Sequence, residues 1–494
     1  MKSKILLGPI LGIEQEVIYT FCLVTAKSVE RVVLLIDGVR VSALQSGNLV
    51  SGIFWRAEYA LSDISVSKYL EYSLEIDGVI TYDKHQRESW RFYIPSSTEV
   101  PKFAYTSCNG FSSEALKESC SNPYYLWSQM VHIHEKTPFS ALLMGGDQLY
   151  ADSIWGEVKK LSEWSNLPRE EKIKKKATKE MERQIDTFYA RLYQDKWSTP
   201  DMSLMLASIP SVMMWDDHDI FDGWGSYPKD MQESEVYQSI FKYAKKYFEL
   251  YQMRTRKNRN LLNAESSHYA FALAFRGYQI IAIDNRSERT LEKIMSNKQW
   301  QNFLNHLENI PENHDLLLMS GVPVVYRDFS FTEGIYDYTS WEEELTDDLK
   351  DHWRAKEHQG ERLRLIMNLL DSAKKRTNRR TVILSGDVHV GSLGIINDVR
   401  SIDTPLKIHQ VVSSGVVHPP PSILEWYGIL AITNDRNEYL NEDDTIKASM
   451  LQPHGSNKYI RARNFVTIEE GTDDKLWINW VCEDKDKPVY PLER

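Results

Sequence analysis

Residues 213–228 read MMWDDHDIFDGWGSYP, with Asp216, Asp217, His218 and Asp219 side by side at the centre. Close carboxylates raise one another's pKa. A bound dication removes that conflict, because it favours the ionised form of its ligands. Other residues offer matching chemistry. Asp147 follows Gly145-Gly146, a pair that lets the backbone turn sharply. Tyr150 lies three residues on, a spacing that one helical turn would place on the same side. Asp387 and His389 are separated by one residue, so an extended segment would aim both the same way. Cys108 precedes Asn109-Gly110, a turn pair. Carboxylate, phenol, imidazole and thiol together form a metal-ligand set.

Each cluster follows a short apolar run that reads as a strand. The runs at 102–106, 140–144, 211–215 and 278–283 lead into Cys108-Asn109, Asp147–Tyr150, the Asp216–Asp219 tetrad and Asp284-Asn285-Arg286. Those at 315–319 and 381–384 lead into Ser320-Gly321 and Gly386-Asp387-Val388-His389. Apolar runs alternating with longer helical stretches mark a layered α/β domain. Ligands of open α/β sheets bind beyond the carboxyl ends of strands. The spacing therefore predicts that these six endings converge on one edge.

Residues 1–97 follow another pattern. β-Rich runs at 16–25, 31–39, 52–61, 70–76 and 90–94 are punctuated by Asp37-Gly38 and Asp77-Gly78. They read as a small antiparallel β-sandwich. Residues 95–98 read as a linker, dividing the chain into 1–97 and a catalytic-type domain, 98–494. The charged stretch 159–182 reads as a solvated helical excursion.

Composition narrows the class. The 494 residues carry a formal charge of −11, which argues against a general nucleic-acid binder and suits a protein that gathers cations. Cys22, Cys108, Cys120 and Cys482 are widely spaced without a CxxC pair, which favours free thiols and a reducing, cytoplasmic setting. The N-terminal apolar run contains Gly8-Pro9 and meets Glu14 and Glu16, so it reads as a strand rather than a leader. No apolar run approaches the ~20 residues of a transmembrane helix. His132 and His134 read as partly exposed helix residues. Trp224 and Tyr227 suit an aromatic rim or loop packing.

FAYTSCNG, MGGDQLYAD, MWDDHDIFDGWGSYP, IAIDNRSER, LSGDVHVGS and SSGVVHPPP together resemble the alkaline phosphatase D type (PhoD-like) metallophosphatases of the calcineurin-like phosphoesterase superfamily, over roughly residues 100–470. Asp351-His352-Trp353 and Arg463-Asn464-Phe465 look like lesser motifs of that branch. The resemblance implies a four-layer α/β/β/α sandwich with a dinuclear metal site. It puts Cys108, Asp147, Tyr150 and His389 around a first metal, ferric iron. It puts Asp217 and Asp387, with Asp147 as a bridge, around a second, calcium (or Mg²⁺/Mn²⁺), and oxygen donors suit such hard cations. The superfamily's lone histidine is replaced at Gly321, and Asp387 replaces the first histidine of GHxH. The implied reaction is hydrolysis of small phosphate mono- or diesters by metal-activated hydroxide, with His218 as general acid and Arg286 binding phosphate oxygens. Asn109, Asp216, Asp219, Asp284, His352 and His418 are candidates to line the substrate or orient the ligands. The alternative is a catalytically weak binding or regulatory protein on the same fold, which the missing histidine at Gly321 supports and the retained Asp147, Tyr150, His218, Asp387 and His389 oppose.

Overall fold

The computed structural model describes residues 3–61, 64–327, 352–401, 405–484 and 486–494. Among these residues a ten-stranded sheet runs Val489–Leu492, Leu476–Cys482, Asn464–Glu470, Phe103–Thr106, Ala141–Gly145, Ser211–Met214, Ile5–Glu14, Ile18–Thr25, Ile53–Ala60 and Leu44–Asn48. Its strands beginning at Phe103, Ala141 and Ser211 are mutually parallel. A nine-stranded sheet contains, from one edge, Phe271–Phe275, Tyr278–Ala282, Asp315–Met319, Thr381–Ser385 and Leu406–Val412. Within it, the strands beginning at Tyr278, Asp315, Thr381 and Leu406 are parallel. The strands beginning at Gly391, Ile446, Glu438 and Tyr459 complete that sheet.

The two sheets face each other, and helices cover their outer sides, giving the α/β/β/α order. Strand alternation shows how. Leu317, Met319, Val382 and Leu384 share one apolar cluster with Phe103 and Leu143 of the opposite sheet. Their neighbours Leu316, Leu318 and Ile383 point the other way, onto Trp300 and Phe303 of helix Asn297–Glu308 and Leu365 and Leu369 of helix Gln359–Lys375. A strand buried on both faces must be apolar throughout, which is why these segments read as unbroken runs. Phe103 packs against Phe275 and Tyr278 at 6.2 and 5.2 Å between ring centres. Trp480 Nε1 donates to Val412 O at 2.9 Å, stitching the sheets together.

The N-terminal β-sandwich is present. A five-stranded sheet, including Val32–Ile36, Lys68–Ile76 and Ser89–Ile94, packs on the N-terminal strands of the large sheet. Tyr19–Phe92 and Phe21–Tyr72 ring contacts at 5.0 and 4.7 Å join the two layers. The other layer of this sandwich belongs to the ten-stranded sheet, because Ile5–Glu14 pairs in parallel with Ser211–Met214. Buried Glu14 accepts from Arg56 Nη2 at 2.8 Å and from Arg259 Nη1 at 3.0 Å, so ion pairs also cross residue 97. Pro95 O, in the linker, accepts from Arg276 Nε at 3.1 Å.

The charged stretch forms helices Lys159–Ser165 and Arg169–Lys174 and the start of Lys179–Lys196. All four cysteines are free. No described helix is long and apolar enough to cross a membrane. His134 differs from its sequence reading. It is buried, its Nδ1 accepts from Phe139 N at 3.1 Å, and burial pushes its pKa down to about 4. His132 is exposed, as a surface helix position should be.

Candidate metal centre

The parallel strands of both sheets end on one edge, where their loops interlock. Cys108 N donates to Gly146 O at 3.3 Å and Asn109 N to Asp147 O at 2.8 Å. Gly386 N donates to Gly321 O at 2.9 Å, and Gly321 N to Asn285 Oδ1 at 2.9 Å. The loop after Leu406–Val412 then clasps the first sheet: Val416 N donates to Ser107 O at 3.0 Å and His418 N to Cys108 O at 3.1 Å. The six anticipated endings therefore meet, joined by a seventh.

The turns are tighter than the sequence suggests. Cys108, Asp147, Asp387 and His389 have φ of 52, 52, 66 and 53°. Non-glycine residues rarely occupy this left-handed region, and such strain collects at functional sites. Asp387 and His389 are thus not in an extended segment, and Asp147–Tyr150 is a bend rather than a helical turn. The side chains still converge because the loops, not regular elements, aim them. Gly146, at φ 110°, provides the sharp turn before Asp147.

Ligand atoms of Cys108, Asp147 and His389 lie within 4.8 Å of one another, as do those of Asp147, Asp217 and His218, and those of Asp216, Asp217 and Asp387. Tyr150 joins the first group, its hydroxyl 2.9 Å from His389 Nε2. Asp147 belongs to two of these groups. Asp216 lies inside the third group rather than behind it.

Burial raises the Cys108 thiol far above its ordinary pKa, with the Asp147 charge adding to it. Burial, then Cys108 and Asp147, do the same to the Tyr150 phenol. Burial also raises Asp147, with His218 opposing and Asp217 and Asp216 reinforcing. For His389, burial and then His418 and His218 push the pKa well below the usual value, which keeps the imidazole neutral and able to ligate. A thiol, a phenol and a carboxylate held together against ionisation need a cation to ionise. Asp147 Oδ1 is buried with no hydrogen-bond partner among the described residues. The donors present therefore fit a metal.

His218 is held from behind. Its Nδ1 lies 2.8 Å from Asp152 Oδ2, and its ring stacks on Tyr150 at 4.2 Å. Burial alone would lower its pKa, but Asp152 and Asp217 outweigh burial and raise it well above the usual value. Asp152 went unassigned in the sequence, although it closes MGGDQLYAD five residues after Asp147. Asn285 was also missed; its side-chain oxygen organises the Ser320-Gly321 turn.

The remaining candidates divide clearly. Asp219 accepts from Gln148 N, Leu149 N, Asp216 N and Gln252 Nε2 at 2.9–3.2 Å, tying two loops together. Burial pushes it up to about 7, against those hydrogen bonds. Asp284 accepts from Trp215 Nε1, Tyr269 N, Arg286 N and Ser287 N, so it shapes its own turn and sits in none of the ligand groups. Asn109 accepts from Trp127 Nε1 at 2.9 Å and donates to Gln148 O, a loop-packing role. His418 stacks on His389 at 3.7 Å, with its Nε2 3.2 Å from Ser112 Oγ. The His352 carbonyl accepts from Ala355 N at 3.1 Å and lies 3.3 Å from His358 Nδ1, and His352 belongs to none of the ligand groups; Asp351 lies outside the described residues. Trp224 stacks on Phe241 at 4.7 Å, so it packs the loop. Arg286 is fully buried and pairs with Asp216 through Nε, with Nη2 at 3.3 Å from Asp217 and 3.8 Å from Asp387.

Comparison with known proteins agrees with the fold. A protein of Saccharomyces cerevisiae described as uncharacterized is 29% identical over 453 aligned positions, 74% of this chain and 63% of that protein. The chain thus spans less than two thirds of that relative's length. The solved structure of PhoD superposes over 100% of this chain and 91% of its own, with a TM-score of 0.60 at 14% identity. A purple acid phosphatase from yellow lupin (Lupinus luteus) seeds covers 98% of this chain and 74% of its own, with a TM-score of 0.52 at 10% identity. The family description "PhoD related phosphatase" matches residues 87–341 and 338–451, and the chain belongs to that family.

Proposed function

We propose that this protein is a metal-dependent hydrolase of small phosphate esters, monoesters or diesters. The observation that carries the reading is the meeting of Cys108, Asp147, Tyr150 and His389 with the Asp216–Asp217–Asp387 carboxylates at one sheet edge. Cys108, Asp147, Tyr150 and His389 would hold a transition metal, with ferric iron favoured by thiolate and phenolate donors. Asp217 and Asp387, sharing Asp147, would hold a hard divalent cation such as Ca²⁺, Mg²⁺ or Mn²⁺. Bound there, such cations supply Lewis acidity toward phosphoryl oxygens and lower the pKa of water.

The chain's own residues do the rest. His218 and Asp387, like His389, are half-buried and so remain within reach of a substrate entering from solvent. Asp152 fixes the His218 ring through Nδ1 and favours its protonated form, leaving Nε2 to donate a proton to the leaving oxygen. Tyr150 stacks between His218 and His418 and so keeps both rings in place. Asp219 and Asp284 hold the loops that carry these groups.

Turnover of p-nitrophenyl phosphate and its bis ester tests the reading. Metal-replete protein should cleave at least one of them, and chelated protein neither. Absence of turnover in protein shown to hold metal would favour the binding or regulatory alternative.

A further inference from the structure

Resting on that reading, we infer that Arg286 is a built-in counter-cation for the second position, so that the resting protein holds one metal tightly and a second only weakly. Asp216 and Asp217, both buried, and half-buried Asp387 bring three carboxylates into one group. A cationic side chain lies against it. Arg286 is fully buried, its Nε donates to Asp216 Oδ1, and its Nη2 lies 3.3 Å from Asp217 Oδ1 and 3.8 Å from Asp387 Oδ1. Nη1 is fixed by Trp224 O at 3.3 Å, and Asp284 Oδ1 holds the Arg286 backbone N at 3.0 Å. The guanidinium is anchored from two sides and is no mobile surface arm.

The opposite wall explains why this arrangement fits. A Cβ on Gly321 would sit 2.1 Å from Asp216 Oδ2, so the Asp216 carboxylate lies directly against that glycine. The strand end after Asp315–Met319 therefore contributes no side chain at Gly321. The charge on the carboxylates is met from the neighbouring strand end instead, by Arg286. A buried, ion-paired guanidinium is always charged and cannot step aside by losing a proton. A divalent cation entering among the same oxygens must share them with it and feels its repulsion across a few ångströms. The first group is different: Cys108, Asp147, Tyr150 and His389 include no cationic side chain.

Titration of metal-stripped, full-length protein tests this, read by calorimetry and metal analysis with Mn²⁺ and Ca²⁺. The wild type should show one tight site and a second weaker by at least about tenfold. Arg286→Gln should tighten the second site by about tenfold or more and leave the first unchanged. Arg286→Lys, which keeps the charge, should stay near the wild type. Two tight sites in the wild type, or an unchanged second affinity in a folded Arg286→Gln, would overturn the inference. If Arg286→Gln does not fold, the wild-type and Arg286→Lys titrations decide. A chain that binds no metal at all contradicts the underlying functional reading. Ester turnover with two tight sites contradicts only the role of Arg286.

Discussion

His218 shows how much one neighbour decides. The side chain is half-buried, and burial alone would strip its proton. Asp152 and Asp217 reverse that, so the protonated imidazole persists above the ordinary pKa. Because Asp152 raises the value, removing its charge lowers it. Asp152→Asn should move the alkaline limb of the kcat/KM profile to lower pH, cut kcat by about tenfold or more and leave KM little changed. An unmoved profile would show that Asp152 merely packs. The tetrad itself was legible as a charged cluster, since three carboxylates within four positions are visible in any sequence. Its division of labour was not. Asp219 is a loop tie through four hydrogen bonds and Asp216 a partner of Arg286, distinctions set by contacts with residues about 70 positions away.

Strands were easier to read than turns, for a physical reason. A segment buried on both faces must be continuously apolar, so the runs ending at 106, 144, 215, 283, 319 and 384 stood out and carry the observed strands. Left-handed turns at Cys108, Asp147, Asp387 and His389 leave no such mark: Asp and His enter the left-handed region more often than most residues, yet the great majority of either do not, so the residue type alone does not locate the turn. Hence the extended Asp387-x-His389 and the helical Asp147–Tyr150 were misread while their convergence was not. Gly321 is the test at this level. A Cβ added at Gly321 would clash with the Asp216 carboxylate, so Gly321→Ala forces that group or the strand end to move. The substitution should cost about 1–3 kcal/mol in urea unfolding. A loss under about 0.5 kcal/mol would show that the contact relaxes freely.

The N-terminal sandwich was legible as β-rich sequence, but its continuity with the large sheet was not, since pairing between Gly12 and Ser211 spans nearly 200 residues. That continuity argues that a boundary at 97/98 divides the chain without dividing the core. A fragment of residues 98–494 would expose the Ser211–Met214 edge and leave Arg259 without Glu14. It should aggregate or lack a cooperative melt, and a fragment that melts as sharply as the full chain would make the sandwich an independent unit. The whole arrangement, two sheets delivering thiol, phenol, imidazole and carboxylates to one edge, has its simplest meaning in a bound metal. The direct measurement is the metal-to-protein ratio of purified wild type beside Asp147→Ala, with melting curves to confirm that both are folded. Asp147 is shared by two ligand groups and has a buried oxygen without a hydrogen-bond partner among the described residues. The wild type should carry at least one tightly held metal per chain, and folded Asp147→Ala should lose it. Equal metal content in the two proteins, or none in either after reconstitution, would contradict the account.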